Sequence, residues 1–290
     1  MSAQIDAPKY TYLKRGVYYF VICLILGISS TQETYACSFN CKKSELVTGL
    51  AIDGQLSTEL LLVKADSAPT VILSHGGGGR WEHQTRWGRT LNENGFNVVI
   101  VDHFTAKGVA AHVGKVNPKT LPAERVKDLV AVATWVSQQS WNRGKVGVIG
   151  FSQGGSGVNL LANTREVKRI SGIDPSDLSV FGAVVSYYPG CGIAGGTPPD
   201  LPYLPAMVHL AMNDGLADPF WCTSGYRKNE NLTIYKYDGA PHSFDVEVPG
   251  WRKTGVIPAV NRIWVAERHE PSNKLSRERT LAFFNRHLKD

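Results

Sequence analysis

The stretch Lys145-Val-Gly-Val-Ile-Gly-Phe-Ser-Gln-Gly-Gly155 decides how the rest of the chain is read. It runs as a short apolar strand into a tight turn with Ser152 at its apex, then into residues that permit a helix. Gly150 and Gly154 flank Ser152 in a G-x-S-x-G pattern. Small neighbours are required there because the serine backbone is strained and the strand and helix pass close together. The pattern alone is weak, since at this glycine content it arises by chance roughly 0.2 times in a chain of this length. Its weight depends on what the chain supplies elsewhere.

The 290 residues suffice for a substantial core, and a hydrophobic share of 43% with 19% charged residues excludes a disordered chain. The net charge of +6 comes from scattered lysines and arginines. With no basic run, patterned basic helix or zinc spacing, it reads as a solvated surface and not as a nucleic-acid site.

The N-terminus reads separately. Lys14-Arg15 precedes an apolar run from Val17 to Ile28, followed by Ser29, Ser30 and Thr31. This is the order of a secretory signal, and the run falls short of the about 20 apolar residues of a membrane span. Cleavage after Ala36 would leave Cys37 first. A lipid anchor on Cys37 is the rival reading, but Thr34 and Tyr35 suit it poorly and the apolar run ends too far upstream. Residues 1–36 are therefore expected to be a signal peptide and 37–290 one domain, periplasmic or secreted, with no stable membrane insertion after cleavage. Beyond Cys23 in the leader remain Cys37, Cys41, Cys191 and Cys222. An even remainder in an exported chain points to two disulfides, Cys37–Cys41 and Cys191–Cys222, with buried free thiols as the alternative.

In chain order, Glu45 to Lys64 alternates polar and apolar residues around Asp53-Gly54, a hairpin signal. Pro69–Ser74 is an apolar strand running into His75 and Gly76 to Gly79. A helix is expected over Gln84–Asn94, a buried strand over Phe96–Asp102 and an amphipathic helix over Leu121–Gln139. After the elbow and a helix to about Asn163 come strands over Val180–Tyr188, Pro205–Met212 and Leu232–Tyr237. A short helical piece lies near Phe220–Tyr226. Asn273–Leu288 closes the chain as a helix with Leu275, Leu281, Phe284 and Leu288 on one face. Apolar strands alternating with helices predict a mostly parallel sheet covered on both faces, with the leading hairpin as an antiparallel edge.

In open sheets of this kind, chemistry sits at the carboxyl ends of the strands. A serine nucleophile needs a base to take its proton and an acid to orient that base, in the order Ser, Asp or Glu, His. Asn213-Asp214 follows one strand end and Ala240-Pro-His242 another, both downstream of Ser152. Asp218 is the competing acid, whereas Asp245 stands too close to His242 in sequence to face its ring readily. Backbone N–H donors for a developing oxyanion are expected from Gln153 and from the glycine loop, with Gly77 as the chosen donor. That loop lacks the Lys-Ser/Thr of a phosphate-binding loop. His75 is expected to shape the loop and His209 to be a satisfied histidine within a strand. Trp251 and Trp264 can wall an acyl or aryl pocket or simply pack a core.

At these residues the chain resembles the dienelactone hydrolase family of the α/β-hydrolase fold. The likeness runs from about Val71 to His242. Its motifs are His75-Gly-Gly-Gly-Gly79, Val101-Asp-His-Phe-Thr-Ala-Lys-Gly108, Val148-Ile-Gly-Phe-Ser-Gln-Gly-Gly155, Tyr187-Tyr-Pro-Gly-Cys191, Asn213-Asp214 and Ala240-Pro-His-Ser-Phe244. The resemblance implies Ser152 as nucleophile, Asp214 as acid and His242 as base, with no cofactor or metal. The enzymes that open dienelactones carry cysteine where this chain has Ser152, so the resemblance implies a carboxylesterase acting on small esters or lactones. A peptidase or amidase with the same triad, and a non-catalytic binding protein on the same fold, are the alternatives. Oligomeric state is not encoded in any motif.

Overall fold

Two antiparallel strands, β1 (Val47–Ile52) and β2 (Leu56–Leu61), form the leading edge of the sheet in the computed structural model. The structure describes residues 47–52, 56–63, 67–113, 117–191, 202–225, 229–257 and 261–289. The expected signal peptide, the Cys37–Cys41 pair and the Asp53-Gly54 turn lie outside them. The remaining sheet strands are β3 (Thr70–Ser74), β4 (Asn97–Asp102), β5 (Val146–Phe151), β6 (Phe181–Tyr187), β7 (Ala206–Ala211) and β8 (Leu232–Tyr237). The sheet order is β1-β2-β4-β3-β5-β6-β7-β8. β2 pairs antiparallel with β4, and every pairing from β4 to β8 is parallel.

The strands are apolar throughout because both faces are covered. Successive residues of a strand point to opposite faces, which divides the core in two. Ile72, Val99, Val148 and Val184 pack with Val126, Leu129 and Ala133 of α2 (Pro122–Ser137) and with Val158 and Leu161 of α3 (Gln153–Ala162). Val71, Val98, Ile149 and Val185 pack with Trp87 and Leu91 of α1 (Glu82–Glu93) and with Phe283 and Phe284 of α6 (Glu270–Leu288). Two shorter helices follow α3 and β7, namely α4 (Thr164–Ser171) and α5 (Pro219–Gly225). The mostly parallel sheet, the covering helices and the antiparallel leading edge agree with the sequence reading.

Two features differ from it. Residues between His242 and the last helix form a separate hairpin, β9 (Arg252–Ile257) paired with β10 (Arg262–Glu267). In α6, Leu275 is 40% exposed, while Ser276, Arg277 and Thr280 are buried in its place. The reason is polar chemistry under the helix. Thr280 Oγ1 lies 2.9 Å from the Tyr187 hydroxyl and 3.0 Å from His209 Nε2, and the Arg277 guanidinium covers the Trp87 ring at 3.9 Å.

His209, in the middle of β7, is wholly buried, with Nδ1 2.8 Å from the Tyr237 hydroxyl. Burial pulls its pKa down to about 3, partly opposed by Asp245 and helped by Arg279. Burial, with Arg125 next in weight, also holds His75 and His103 well below the usual imidazole range. These three rings stay neutral in the folded chain at pH values where the unfolded chain protonates them at about 6.5. Stability should therefore be full above about pH 6.5 and fall as pH drops, by on the order of 1.4 kcal/mol per pH unit for each ring. Denaturant unfolding at pH 7, 6 and 5 should show this decline. His209→Gln should make the slope shallower, and an unchanged slope would contradict the assignment.

Candidate active site

β5 ends in a wholly buried run, and the chain then turns at Ser152 with φ 54 and ψ −117. Such a backbone costs of order 1–3 kcal/mol for a residue with a Cβ. It is held by Ser152 N–H donating to Tyr187 O at 2.9 Å and by Ser156 N–H donating to Ser152 O at 2.9 Å. Gly150 and Gly154 are required by contact distance. A Cβ on Gly150 would stand 2.4 Å from Gly154 O, and one on Gly154 would stand 2.3 Å from Ser74 O. Among the described residues, four non-glycine residues have positive φ. Ser152, Tyr188 and Ser243 of that set all line one cavity of about 350 Å3.

The sequence-predicted partners meet at this turn. His242 Nε2 lies 2.9 Å from Ser152 Oγ, and His242 Nδ1 lies 2.6 Å from Asp214 Oδ2. The other carboxylate oxygen of Asp214 accepts the N–H groups of Leu216 and Ala217, each at 2.8 Å. The carboxylate is thus fixed at both oxygens, and Ser152, His242 and Asp214 form one hydrogen-bonded chain. Asp218 is engaged elsewhere, accepting from Arg262 Nη1 at 2.8 Å and Phe220 N–H at 3.0 Å. Asp245 faces away from His242. It accepts from His83 Nε2 (3.0 Å), Trp87 Nε1 (2.6 Å) and the Tyr188 hydroxyl (2.7 Å). Burial alone would raise its pKa, but the His83 ring and these donors hold it at about 2. Through Tyr188 it also fixes the ring that packs on His242 at 4.6 Å.

The glycine loop after β3 is anchored through its carbonyls. Arg125 Nη1 donates to His75 O at 2.7 Å, His75 Nδ1 donates to Gly76 O at 2.7 Å, and His112 N–H donates to Gly77 O at 2.8 Å. In a trans peptide the N–H points opposite to the carbonyl of the same unit. The N–H of Gly77 is therefore directed away from the groups that hold Gly76 O. Gly76 itself abuts the serine, since a Cβ there would lie 3.2 Å from Ser152 Cβ. Arg125 Nη2 also donates to Gln153 Oε1 at 2.8 Å, tying the residue after Ser152 to the same guanidinium. Burial lowers the pKa of Arg125 to about 9, which leaves it charged at neutral pH. The sequence reading missed Arg125. The available signal was an arginine standing one residue before Val126 and four before Leu129, inside the apolar stripe of α2.

A second hydroxyl–imidazole–carboxylate chain lies beneath this loop. Ser74 Oγ is 2.9 Å from His103 Nε2, and His103 Nδ1 is 2.7 Å from Asp128 Oδ2, with Lys107 Nζ on the same carboxylate. Ser74 and His103 are 0% exposed, so this chain has no access to a substrate. His75 completes the layer by accepting His103 N–H at 3.0 Å. His75 and His209 thus take the loop-shaping and in-strand positions expected of them.

Cys191 and Cys222 are disulfide-bonded, joining the segment after β6 to α5. Cys191 lines the cavity, as do Trp251 and Trp264, so these two tryptophans wall the site. Trp81, Tyr188 and Trp221 join them and carried no motif that marked them. Among the described residues, no cluster of three or more His, Cys, Asp or Glu side chains is arranged to hold a metal ion.

Comparison with known proteins agrees with this architecture. A family model described as X-Pro dipeptidyl-peptidase (S15 family) matches residues 54–177, a segment that includes Ser152 and ends before Asp214 and His242. A putative dienelactone hydrolase from Klebsiella pneumoniae superposes with a TM-score of 0.61 at 19% identity, over 83% of this chain and 98% of the other. A dienelactone hydrolase from Anabaena variabilis gives 0.55 at 16% identity over 84% and 97%. An esterase of Pyrococcus furiosus gives 0.55 at 18% identity over 91% and 98%. A search of curated proteins found no significant match. The chain has the α/β-hydrolase fold, and the likeness to dienelactone hydrolases agrees with the resemblance carried by its motifs.

The disulfide closes a loop of sequence separation 31. Loop-closure entropy for that length is worth about 3–4 kcal/mol. Non-reducing peptide mapping should recover the linked peptides, and the Cys191→Ser, Cys222→Ser double variant should unfold at correspondingly lower denaturant. Free thiols at both positions in the purified protein would refute the pairing.

Proposed function

We propose that the protein is a serine hydrolase that cleaves carboxylic esters or lactones of small substrates through an acyl-enzyme. The observation that carries this reading is the hydrogen-bonded chain from Asp214 through His242 to Ser152, opening on a cavity beside a glycine loop. Ser152 Oγ attacks the substrate carbonyl while His242 Nε2 takes its proton, and Asp214 holds the Nδ1–H tautomer. The tetrahedral oxyanion is received by the N–H groups of Gln153 and Gly77. His242 returns the proton to the departing alkoxide, and the acyl group stays on Ser152. Water then attacks the ester carbonyl with His242 again as base, releasing the acid and restoring the hydroxyl. The cavity of about 350 Å3 suits a small molecule.

The S15 family match supports amide cleavage as the second reading. A dipeptidyl peptidase must hold the free ammonium group of its substrate. Asp218, a carboxylate at this cavity, is instead paired with Arg262, and Lys253 adds another cation to the wall. That charge balance favours esters. Export is part of the proposal as well: the Cys191–Cys222 bond supports an oxidising compartment. Among the described residues, no helix is long and apolar enough to cross a membrane.

A fluorophosphonate should label the mature protein but not Ser152→Ala. Asp214→Asn should lower kcat by roughly 10^3–10^4-fold, and Asp218→Asn by far less. Equal losses in both aspartate variants would reject the assigned acid, and absence of both labelling and ester turnover would reject the hydrolase. Arg125→Lys keeps the charge but not the two-pronged donation to His75 O and Gln153 Oε1. It should lower kcat by roughly tenfold or more with KM little changed, because the loop donors act in the transition state. A rise in KM alone would indicate a substrate-binding role for Arg125 instead.

A further inference from the structure

Four of the seven tryptophans in the chain, Trp81, Trp221, Trp251 and Trp264, come from separate segments to line the cavity onto which Ser152 opens. Packing of the fold does not require this. Trp87 fills the core under α1, and Trp135 packs against Trp141, without any of the four. Trp81 and Trp251 stack with ring centroids 5.1 Å apart and planes 23° from parallel. Trp264 lies flat on its strand neighbour Gly255. A Cβ at Gly255 would come within 2.7 Å of the indole atoms Cε2, Cζ2 and Nε1. The missing side chain lets the indole sit back against the hairpin and keeps the space in front of it open.

The hairpin is two-faced. Lys253, Ile257, Arg262 and Trp264 lie on the cavity side, while Val256 and Ile263 point outward at 53% and 71% exposure. The positive charge that an indole face would otherwise attract is already supplied by the chain itself. Lys253 Nζ stands 5.9 Å from the centre of the Trp251 ring, while Arg262 on the same wall is balanced by Asp218 at 2.8 Å, so Lys253 supplies the net charge. A quaternary ammonium ligand, the usual cation for an aromatic cage, would meet repulsion there. A planar ring, neutral or anionic, meets stacking surfaces on the wall and a favourable field.

We infer that the tryptophan wall is a subsite for an aromatic ring of the substrate, so that the preferred esters derive from aryl-bearing acids or alcohols. This rests on the serine hydrolase reading and narrows its substrate class.

The test uses matched esters whose leaving groups are alkoxides and not phenoxides, followed by acid release. Methyl 3-phenylpropanoate is compared with methyl 3-cyclohexylpropanoate for the acyl side, and benzyl acetate with cyclohexylmethyl acetate for the alcohol side. The aryl member of at least one pair should have a kcat/KM about five- to tenfold higher. Trp251→Leu and Trp264→Leu, checked for folding by circular dichroism, should bring that ratio towards one. Ratios near one on both sides in the wild type would overturn the inference. So would preference for acetylcholine over its neutral analogue 3,3-dimethylbutyl acetate. If no ester turns over and no fluorophosphonate labels Ser152, the hydrolase reading fails, and the subsite is judged by calorimetry on Ser152→Ala. There, tighter binding of 3-phenylpropanoate than of 3-cyclohexylpropanoate supports the ring subsite, and equal binding or no binding of either removes it.

Discussion

The near-contact of three backbones at Gly150 and Gly154 is the constraint on which the site depends. A methyl group on either glycine would overlap the carbonyl of Gly154 or of Ser74, so the ends of β5 and β3 and the first turn of α3 meet without side chains between them. That proximity forces Ser152 to positive φ and at the same time fixes it against the loop that leaves β3. The strain is offset locally. Ile149, Phe151 and Val158 around the turn are almost completely buried, and burial of each is worth about 1.5–3 kcal/mol against a strain of about 1–3. The position of Ser152 and the glycine loop are therefore set together by one packing event.

A loop of four glycines has no side chains with which to hold itself, and the protein anchors it from beneath by its carbonyl oxygens. Arg125, the His75 ring and the backbone of His112 supply the donors. Burying a guanidinium without a direct carboxylate partner is costly unless its donors are satisfied. Here they end on Thr120 O, His75 O and Gln153 Oε1. The neighbouring Ser74–His103–Asp128 chain has distances as good as those of Ser152–His242–Asp214. Hydrogen-bond geometry therefore does not distinguish Ser152 from Ser74. Backbone strain and access do: Ser152 sits at positive φ on a cavity, while Ser74 is an ordinary strand residue with no exposed surface.

The parts of the fold legible in the sequence were those with strong local signals. Wholly apolar strands, the glycine loop, the elbow and the strand-end Asp214 and His242 all follow from short-range chemistry that the chain must satisfy wherever it folds. The hairpin Arg252–Glu267 was not legible, because its strands alternate against a cavity and solvent instead of a core. Its outward face carries Val256 and Ile263, which gives no polar–apolar alternation to read. Leu275 was misplaced for a related reason. The buried face of α6 carries Ser276, Arg277 and Thr280, whose partners Tyr187, His209 and Trp87 lie on strands and helices far away in sequence. Arg125 was hidden in the same way, since its acceptors are carbonyls that no sequence pattern marks. The structure separates Asp218 from Asp214 through side chains distant in sequence, since His242 Nδ1 faces Asp214 while Arg262 holds Asp218.

The hairpin that carries Trp264 is also attached to the loops that present Asp214 and His242. Glu267 N–H donates to His242 O at 3.1 Å, and His242 and Ala266 form an isolated bridge. On the other side, Gly215 packs so closely that a Cβ there would stand 2.5 Å from Ile263 O. The pocket wall and the Asp214–His242 pair thus share backbone contacts. A change that shifts the hairpin must move Gly215 or the His242 carbonyl with it, and the 2.6 Å bond between His242 and Asp214 has little room for such movement. On this fold the tryptophan-bearing wall and the Asp214–His242 pair are mechanically one unit. Substitutions in the hairpin should accordingly separate poorly into binding effects and rate effects, whereas the glycine loop, anchored independently by Arg125, lies outside that coupling.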